Sequence, residues 1–155
     1  MEHMKIMLVD DEERFLSTTK KLLARKGHDI FTATGGADAL EQLRIHSIHV
    51  VILDVKMPGM DGIETLKAIK RIYPMVEVIM LTGHGTVDSA VEGLKSGATD
   101  YLTKPTDVND LIEKAEEAFE KRQRLEEKIR VAQVRSFMKS PGEIIRETEK
   151  SSRER

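Results

Sequence analysis

The sequence predicts an α/β fold: a doubly wound sheet of five parallel strands followed by an extended C-terminal helix. Short apolar runs alternate with segments of helical periodicity as far as residue 119. This alternation is typical of a parallel sheet covered on both faces, because a crossover between parallel strands needs a long connection such as a helix. The predicted strands are Lys5–Val9, Ile30–Ala33, Val50–Leu53, Val76–Leu81 and Asp100–Leu102.

Helical periodicity fills the segments between these strands. Gly27 and Gly97 are expected to end the first and fourth helices, and Pro74 follows the third. The positions that mark the first four helices are Phe15, Leu16, Thr19, Leu22 and Leu23; Ala37, Leu40 and Leu43; Ile63, Leu66, Ile69 and Ile72; and Val87, Ala90, Val91 and Leu94.

The fifth helix is predicted to continue beyond the edge of an ordinary domain. It begins after Thr106 or Asp107, either of which can cap it, and its pattern continues to about Lys139. We therefore predict a compact domain at residues 1–120, a helical extension at 121–139 and a disordered tail at 140–155.

The composition excludes several classes of protein. Apolar runs are too short to span a bilayer, and there is no cysteine among the 155 residues, so we predict a cytoplasmic protein without membrane contact or disulfides. Residues 120–155 hold 11 basic and 7 acidic side chains. Because the acids are interleaved with the bases and aromatics are scarce, direct nucleic-acid binding is not expected.

Five polar residues stand at the carboxyl ends of predicted strands. Asp10 and Asp11 follow the first strand, Asp54 the third, Thr82 the fourth and Lys104 the fifth. Ligand sites of open α/β sheets form at this edge. A carboxylate after a buried run is costly unless it has a function, and three acids, a hydroxyl and an ammonium suit a divalent cation with a phosphoryl group.

Four motifs carry these residues, each directly at the end of a strand. They are Ile6-Met7-Leu8-Val9-Asp10-Asp11-Glu12, Leu53-Asp54-Val55-Lys56-Met57-Pro58-Gly59-Met60-Asp61-Gly62, Leu81-Thr82-Gly83-His84-Gly85 and Tyr101-Leu102-Thr103-Lys104-Pro105. Together and in this order they resemble the receiver domain of bacterial two-component response regulators, from residue 4 to about residue 120. The resemblance implies a CheY-like, flavodoxin-like (βα)5 fold with strand order 2-1-3-4-5, and it is strongest toward NtrC-type receivers.

The resemblance implies a phosphoryl acceptor and a Mg²⁺ site. Asp54 would be the acceptor, because a carboxylate can attack a phosphoryl group once a cation offsets its charge. Asp11 and Asp54 would bind Mg²⁺ directly, Asp10 through water, and the backbone carbonyl of Lys56 would complete the protein's ligands. The variable positions occupied by Lys56 and His84 would set the lifetime of the acyl phosphate.

The resemblance also implies a switch. Lys104 would bind a phosphoryl oxygen, aimed by a cis Lys104-Pro105 peptide, and Thr82 would hydrogen-bond the phosphoryl group. Tyr101 would turn inward as Thr82 moves, changing the surface formed by residues 87–95, the fifth strand and the start of the last helix.

Each role has a structural alternative. Asp10 and Asp11 could serve only as helix caps, and Lys104 could form an exposed salt bridge. Thr82 could be an ordinary residue at a strand end, and Tyr101 a half-exposed strand residue without a signalling role. His46 and His49 lack a third nitrogen or sulfur ligand, so we interpret them as packing or surface residues.

Several functions fit this domain. The leading hypothesis is a stand-alone response regulator that a sensor histidine kinase phosphorylates and that binds a downstream protein. Alternatives are a phosphorelay intermediate or the receiver fragment of a larger NtrC-type regulator. A phosphatase of the haloacid dehalogenase kind is disfavoured, because Lys56 stands where those enzymes need a second acid; we expect only self-phosphorylation and slow self-dephosphorylation. The helical extension could fray, pair in a homodimer or with a partner helix, or serve as a linker.

Overall fold

The computed structural model describes residues 3–55, 61–83 and 87–138. The predicted roles of Lys56 and His84, and the predicted disorder of residues 140–155, lie outside the described residues. Within those residues, no helix is both long and apolar enough to cross a membrane.

Five strands alternate with five helices along the described chain. Their bounds are β1 Lys5–Val9, α1 Glu13–Ala24, β2 Asp29–Ala33, α2 Gly36–Ile45, β3 Val50–Asp54, α3 Gly62–Ile72, β4 Glu77–Thr82, α4 Val87–Lys95, β5 Asp100–Thr103 and α5 Val108–Met138. The strands form one parallel sheet in the order β2-β1-β3-β4-β5, which confirms the predicted fold.

The register of the central strands aligns their carboxyl ends. Val9 of β1 lies opposite Leu53 of β3, and Asp54 lies opposite Leu81 of β4. Thr82 lies opposite Thr103 of β5. The residues at or just after these ends therefore meet at one edge of the sheet, which we call the carboxyl edge.

Asp54 and Thr82 are the last residues of their strands, whereas the sequence predicted that they would follow them. The backbone ladder continues past both residues: Val55 N–H donates to Leu81 O at 3.2 Å, and Lys104 N–H donates to Thr82 O at 2.7 Å. Side-chain polarity ends the apolar run, but it does not end backbone pairing. The two side chains therefore have positions fixed by the sheet.

Alternating strand side chains divide the core into two clusters. Ile6 and Ile52 belong to the first, which includes buried residues of α1 and α5. Met7 and Leu53 belong to the second, which includes buried residues of α2 and α3. Because successive strand side chains point to opposite faces, nearly continuous apolar strands supply both clusters at once.

Helix α5 buries only the apolar residues of its first three turns. Its buried positions are Leu111, Ile112, Ala115, Ala118 and Phe119. The chain divides into two compact units between Arg122 and Gln123, two residues beyond the predicted boundary. In the second unit the described large apolar residues, such as Leu125 and Ile129, are exposed.

Aspartate side chains cap two helices. Asp61 accepts a hydrogen bond from Glu64 N–H at 2.9 Å at the start of α3. Asp107 accepts one from Asn109 N–H at 2.9 Å at the start of α5. Of the two caps that the sequence allowed for α5, the structure therefore shows Asp107 in this role.

Gly62 lets α3 begin directly against the backbone of Asp54 and Val55 at the carboxyl edge. A Cβ atom at this position would lie 2.4 Å from Asp54 O, 2.5 Å from Val55 Cα and 2.6 Å from Val55 O. These are backbone atoms and cannot rotate away. A side chain here must displace either the helix or the segment that holds Asp54.

We predict that Gly62→Ala destabilises the protein by about 1–3 kcal/mol, because overpacking forces a backbone shift. Chemical denaturation followed by circular dichroism measures the free energy of unfolding. Gly35→Ala is the matched control, since Gly35 has extended backbone and a Cβ atom added there would meet no atom within 4 Å. Equal stability of both variants would contradict the close contact at Gly62.

Candidate functional site

Three carboxylates meet at the carboxyl edge. Asp10 directly follows β1, Asp54 ends the neighbouring β3, and Asp11 follows Asp10. One carboxylate oxygen from each lies within 4.8 Å of the others. Asp10 is 1% exposed and Asp54 is 6% exposed, whereas Asp11 is open to solvent.

This cluster concentrates negative charge where water is largely excluded. Neighbouring carboxylates repel one another, and burial increases the cost of each charge. Asp10 is partly compensated, because its Oδ1 accepts a hydrogen bond from Glu12 N–H at 2.9 Å. Complete compensation requires cations.

Lys104 supplies the ammonium at this edge. Its Nζ donates to Asp10 Oδ2 at 2.5 Å and lies 3.6 Å from Glu12 Oε1 and 4.0 Å from Asp54 Oδ2. Its side chain is only 15% exposed, so the alternative of an exposed salt bridge is wrong. The Lys104-Pro105 peptide is cis, as predicted.

The surroundings keep Lys104 protonated. Burial lowers the pKa of the Lys104 ammonium, but the hydrogen bond to Asp10 and the charges of Asp10, Asp54 and Glu12 outweigh it, so the pKa is raised. A charged lysine therefore lies among the carboxylates at neutral pH.

Thr82 is buried at the end of β4, next to the strand that ends in Asp54. Its carbonyl accepts the backbone hydrogen bond of Lys104, as described above. The structure thus places Thr82 at the end of β4 and Lys104 directly after the adjoining β5, at the same edge as the acids. This is the arrangement predicted for them.

Tyr101 lies on β5, opposite Met80 of β4. Its ring is partly buried and packs against the second core cluster. Its hydroxyl oxygen is buried and has no hydrogen-bond partner among the described residues, and burial raises the pKa of the phenol. The ring is therefore turned inward, with a polar group that a partner could still satisfy.

Two residues that contact Lys104 were not predicted from the sequence as site residues. Glu12 contributes the carboxylate 3.6 Å from Lys104, and the ring of Phe15 lies 4.4 Å from Lys104 Nζ. The helical pattern assigned Phe15 only to the core face of α1. The available signal was an aromatic residue in the first turn of the helix that follows the Asp10-Asp11 pair.

His46 and His49 have packing roles. His46 stacks on Phe31 with ring centroids 4.4 Å apart, and His49 contacts Phe119 at 4.9 Å. His49 Nδ1 also accepts a hydrogen bond from Lys5 N–H at 2.9 Å. The interpretation of both residues as packing residues is confirmed.

The acidic cluster suits Mg²⁺. This ion takes oxygen ligands at about 2.0–2.1 Å in an octahedron, so ligands on opposite sides of one ion are about 4 Å apart. One oxygen each of Asp10, Asp11 and Asp54 lies within 4.8 Å of the others, close to that limit, so the three carboxylates fit around one ion, directly or through water. The predicted carbonyl ligand of Lys56 lies outside the described residues.

Comparison with known proteins finds a receiver domain family and bacterial transcription regulators as relatives. The family model for the response regulator receiver domain matches residues 6–116. The transcriptional regulatory protein ZraR of Klebsiella oxytoca is 43% identical over 110 residues, which are 71% of this chain and 25% of ZraR. The DNA-binding transcriptional regulator NtrC of Escherichia coli K12 is 38% identical over 113 residues, 73% of this chain and 24% of NtrC. This chain therefore spans about a quarter of the length of these relatives.

Solved structures show the same fold. A CheY-like receiver domain protein from Methanospirillum hungatei matches with a TM-score of 0.76 and 28% identity, covering 79% of this chain and 98% of that one. A receiver domain protein from Clostridium thermocellum matches with a TM-score of 0.74, 39% identity and the same coverage. With the family match, the three carboxylates at the carboxyl edge and the strand order, these similarities show that the chain belongs to the response regulator receiver domain family.

Proposed function

We propose that Asp54 accepts a phosphoryl group from a sensor histidine kinase in a Mg²⁺-dependent reaction. One observation supports this above all: the Asp54 carboxylate ends a buried strand beside two carboxylates that can hold a cation and 4.0 Å from the Lys104 ammonium. A buried carboxylate whose charge is offset by neighbouring cations can act as a nucleophile toward a phosphoryl group.

The proposed step moves one phosphoryl group. An Asp54 carboxylate oxygen attacks the phosphorus of a phosphohistidine, forming a P–O bond while the P–N bond breaks. The electron pair of that bond stays on the imidazole nitrogen, which leaves as neutral imidazole when the other ring nitrogen carries a proton. The product is an acyl phosphate on Asp54.

The charges of the site set the role of each neighbour. When bound, Mg²⁺ would neutralise the carboxylates and the phosphoryl oxygens. Asp11 and Asp54 would hold the ion directly and Asp10 through water, and Lys104 would offer an ammonium to a phosphoryl oxygen. Water would later attack the phosphorus, forming a P–O bond to the incoming oxygen while the P–O bond to Asp54 breaks, which releases inorganic phosphate and restores the Asp54 carboxylate. We propose a switch that resets slowly rather than a phosphatase, because Lys56 stands where phosphatases of the haloacid dehalogenase kind need a second acid.

Phosphorylation would change a surface through Thr82 and Tyr101. The family membership, the burial of Thr82 and the partly buried ring of Tyr101 support this proposal. The surface comprises α4, β5 and the start of α5, and α4 already exposes Val91 and Leu94. The phosphoryl group would favour a conformation that exists at low population without it.

The relatives support one kind of downstream output for this receiver. Because ZraR and NtrC are about four times as long as the matched region, a receiver within a larger transcription regulator is supported by those relatives. The stand-alone regulator and the phosphorelay intermediate stay predictions. In each case the downstream partner would recognise the switched surface.

We predict that Asp54→Ala abolishes labelling by radioactive acetyl phosphate in Mg²⁺, because the nucleophile is removed. Asp110→Ala, which changes an exposed aspartate on α5, is the control and should label as the parent does. Persistent labelling of the Asp54 variant would mean that another residue is the acceptor.

We predict that Asp11→Ala weakens Mg²⁺ binding by about tenfold or more, since a charged oxygen ligand is lost. The variant should also be more stable than the parent without Mg²⁺, because like-charge repulsion is relieved, and should gain less from added Mg²⁺. Calorimetric titration and thermal unfolding measure both effects. Parental Mg²⁺ affinity in this variant would remove Asp11 from the ligand set.

We predict that Lys104→Ala still accepts phosphate but switches poorly. Amide chemical shifts of α4 and β5, normalised to the phosphorylated fraction, should change by less than in the parent. Lys20→Ala, an exposed lysine on α1, provides the control. Shift changes of parental size in the Lys104 variant would show that this lysine does not couple the acceptor to the surface.

A further inference from the structure

Phe15 and Lys104 make a contact that belongs to none of the roles described so far. The ring centroid of Phe15 lies 4.4 Å from Lys104 Nζ, well within the distance of about 6 Å at which a ring face attracts a cation. Phe15 is partly buried and packs against the first core cluster. The ring is therefore held by the core on one side and meets the ammonium on the other.

We propose that Phe15 is a positioning residue for phosphoryl transfer: its ring face holds the Lys104 ammonium at the carboxyl edge, where a phosphoryl oxygen would bind. The inference rests on the proposed phosphorylation of Asp54 and adds a determinant of its rate. Phe15 is proposed to act on the phosphoryl group and on Mg²⁺ only through Lys104.

An aromatic face suits this task better than another carboxylate. The ammonium has three N–H donors, and Asp10 accepts from one of them. The charges of Glu12 and Asp54 lie at 3.6 and 4.0 Å, beyond an ordinary hydrogen bond. The ring attracts the cation without occupying a donor in a hydrogen bond and without adding negative charge against an incoming phosphoryl group.

The Lys104 ammonium needs a partner that holds it in place, because it can lie either near Asp10 and Asp54 or farther out near Glu12. Lysine carries its charge on a flexible four-carbon stem. Glu12, whose side chain is 67% exposed, can draw the ammonium outward toward solvent. The Phe15 ring, anchored on the core, opposes that displacement and keeps the charge near Asp10 and Asp54.

The first test is the rate of Asp54 phosphorylation by acetyl phosphate at fixed Mg²⁺. Phe15→Leu keeps an apolar side chain on the core but removes the ring face, and we expect the rate constant to fall about three- to thirty-fold. In a Lys104→Ala background the same change should have no further effect, because the cation is absent. A similar loss in both backgrounds would overturn the proposal and assign the effect to packing.

A second test separates the ring's electrostatics from its shape. Fluorinated phenylalanines at position 15 nearly keep the shape of the ring while weakening the negative charge of its face. The logarithm of the rate constant should decrease with each added fluorine, whereas thermal stability changes little. A rate independent of fluorination would overturn the proposal even if Phe15→Leu were poorly folded.

Labelling of the parent protein separates a wrong positioning role for Phe15 from a wrong proposed function. If the parent is labelled on Asp54 and the Phe15 variants match it, only the positioning role is wrong. If the parent itself takes no phosphoryl group, both the proposed function and the positioning role are wrong.

Discussion

The balance of charge at the carboxyl edge governs this structure. Three carboxylates lie within 4.8 Å of one another, two of them buried, and the Lys104 ammonium from a distant part of the chain lies among them. The sequence separation between Asp10 and Lys104 is 94 residues, so only the completed sheet brings them together. The excess negative charge that remains suits a divalent cation and, with it, a phosphoryl group.

The surrounding architecture serves to hold those charges in place. Parallel pairing aligns the ends of β1, β3, β4 and β5. Gly62 lets α3 start against the segment behind Asp54, and the backbone hydrogen bond from Lys104 to Thr82 ties two functional positions together. Tyr101 precedes Lys104 by three residues on the same strand and loop. A shift of this strand end would therefore move the ammonium and the aromatic side chain together.

The fold followed from periodicity, because strands and helices differ in the spacing of their apolar residues and polar residues stood at the strand ends. The strand order came from family resemblance and was confirmed. The contacts that Glu12 and Phe15 make with Lys104 were not predictable. Glu12 and Phe15 meet Lys104 because the start of α1 and the segment after β5 come together at the carboxyl edge, and sequence spacing contains no measure of that distance. The choice of Asp107 over Thr106 as a cap depended likewise on local geometry.

The most direct test of the account is to locate the phosphoryl group chemically in the unchanged chain. The protein is treated with acetyl phosphate and Mg²⁺, and borohydride then reduces any acyl phosphate to a stable alcohol that peptide mass spectrometry can map. The account predicts homoserine at position 54 and aspartate at positions 10 and 11. Reduction at position 10 or 11 instead, or an unmodified chain under conditions that saturate Mg²⁺, would contradict the assignment of Asp54 as the acceptor.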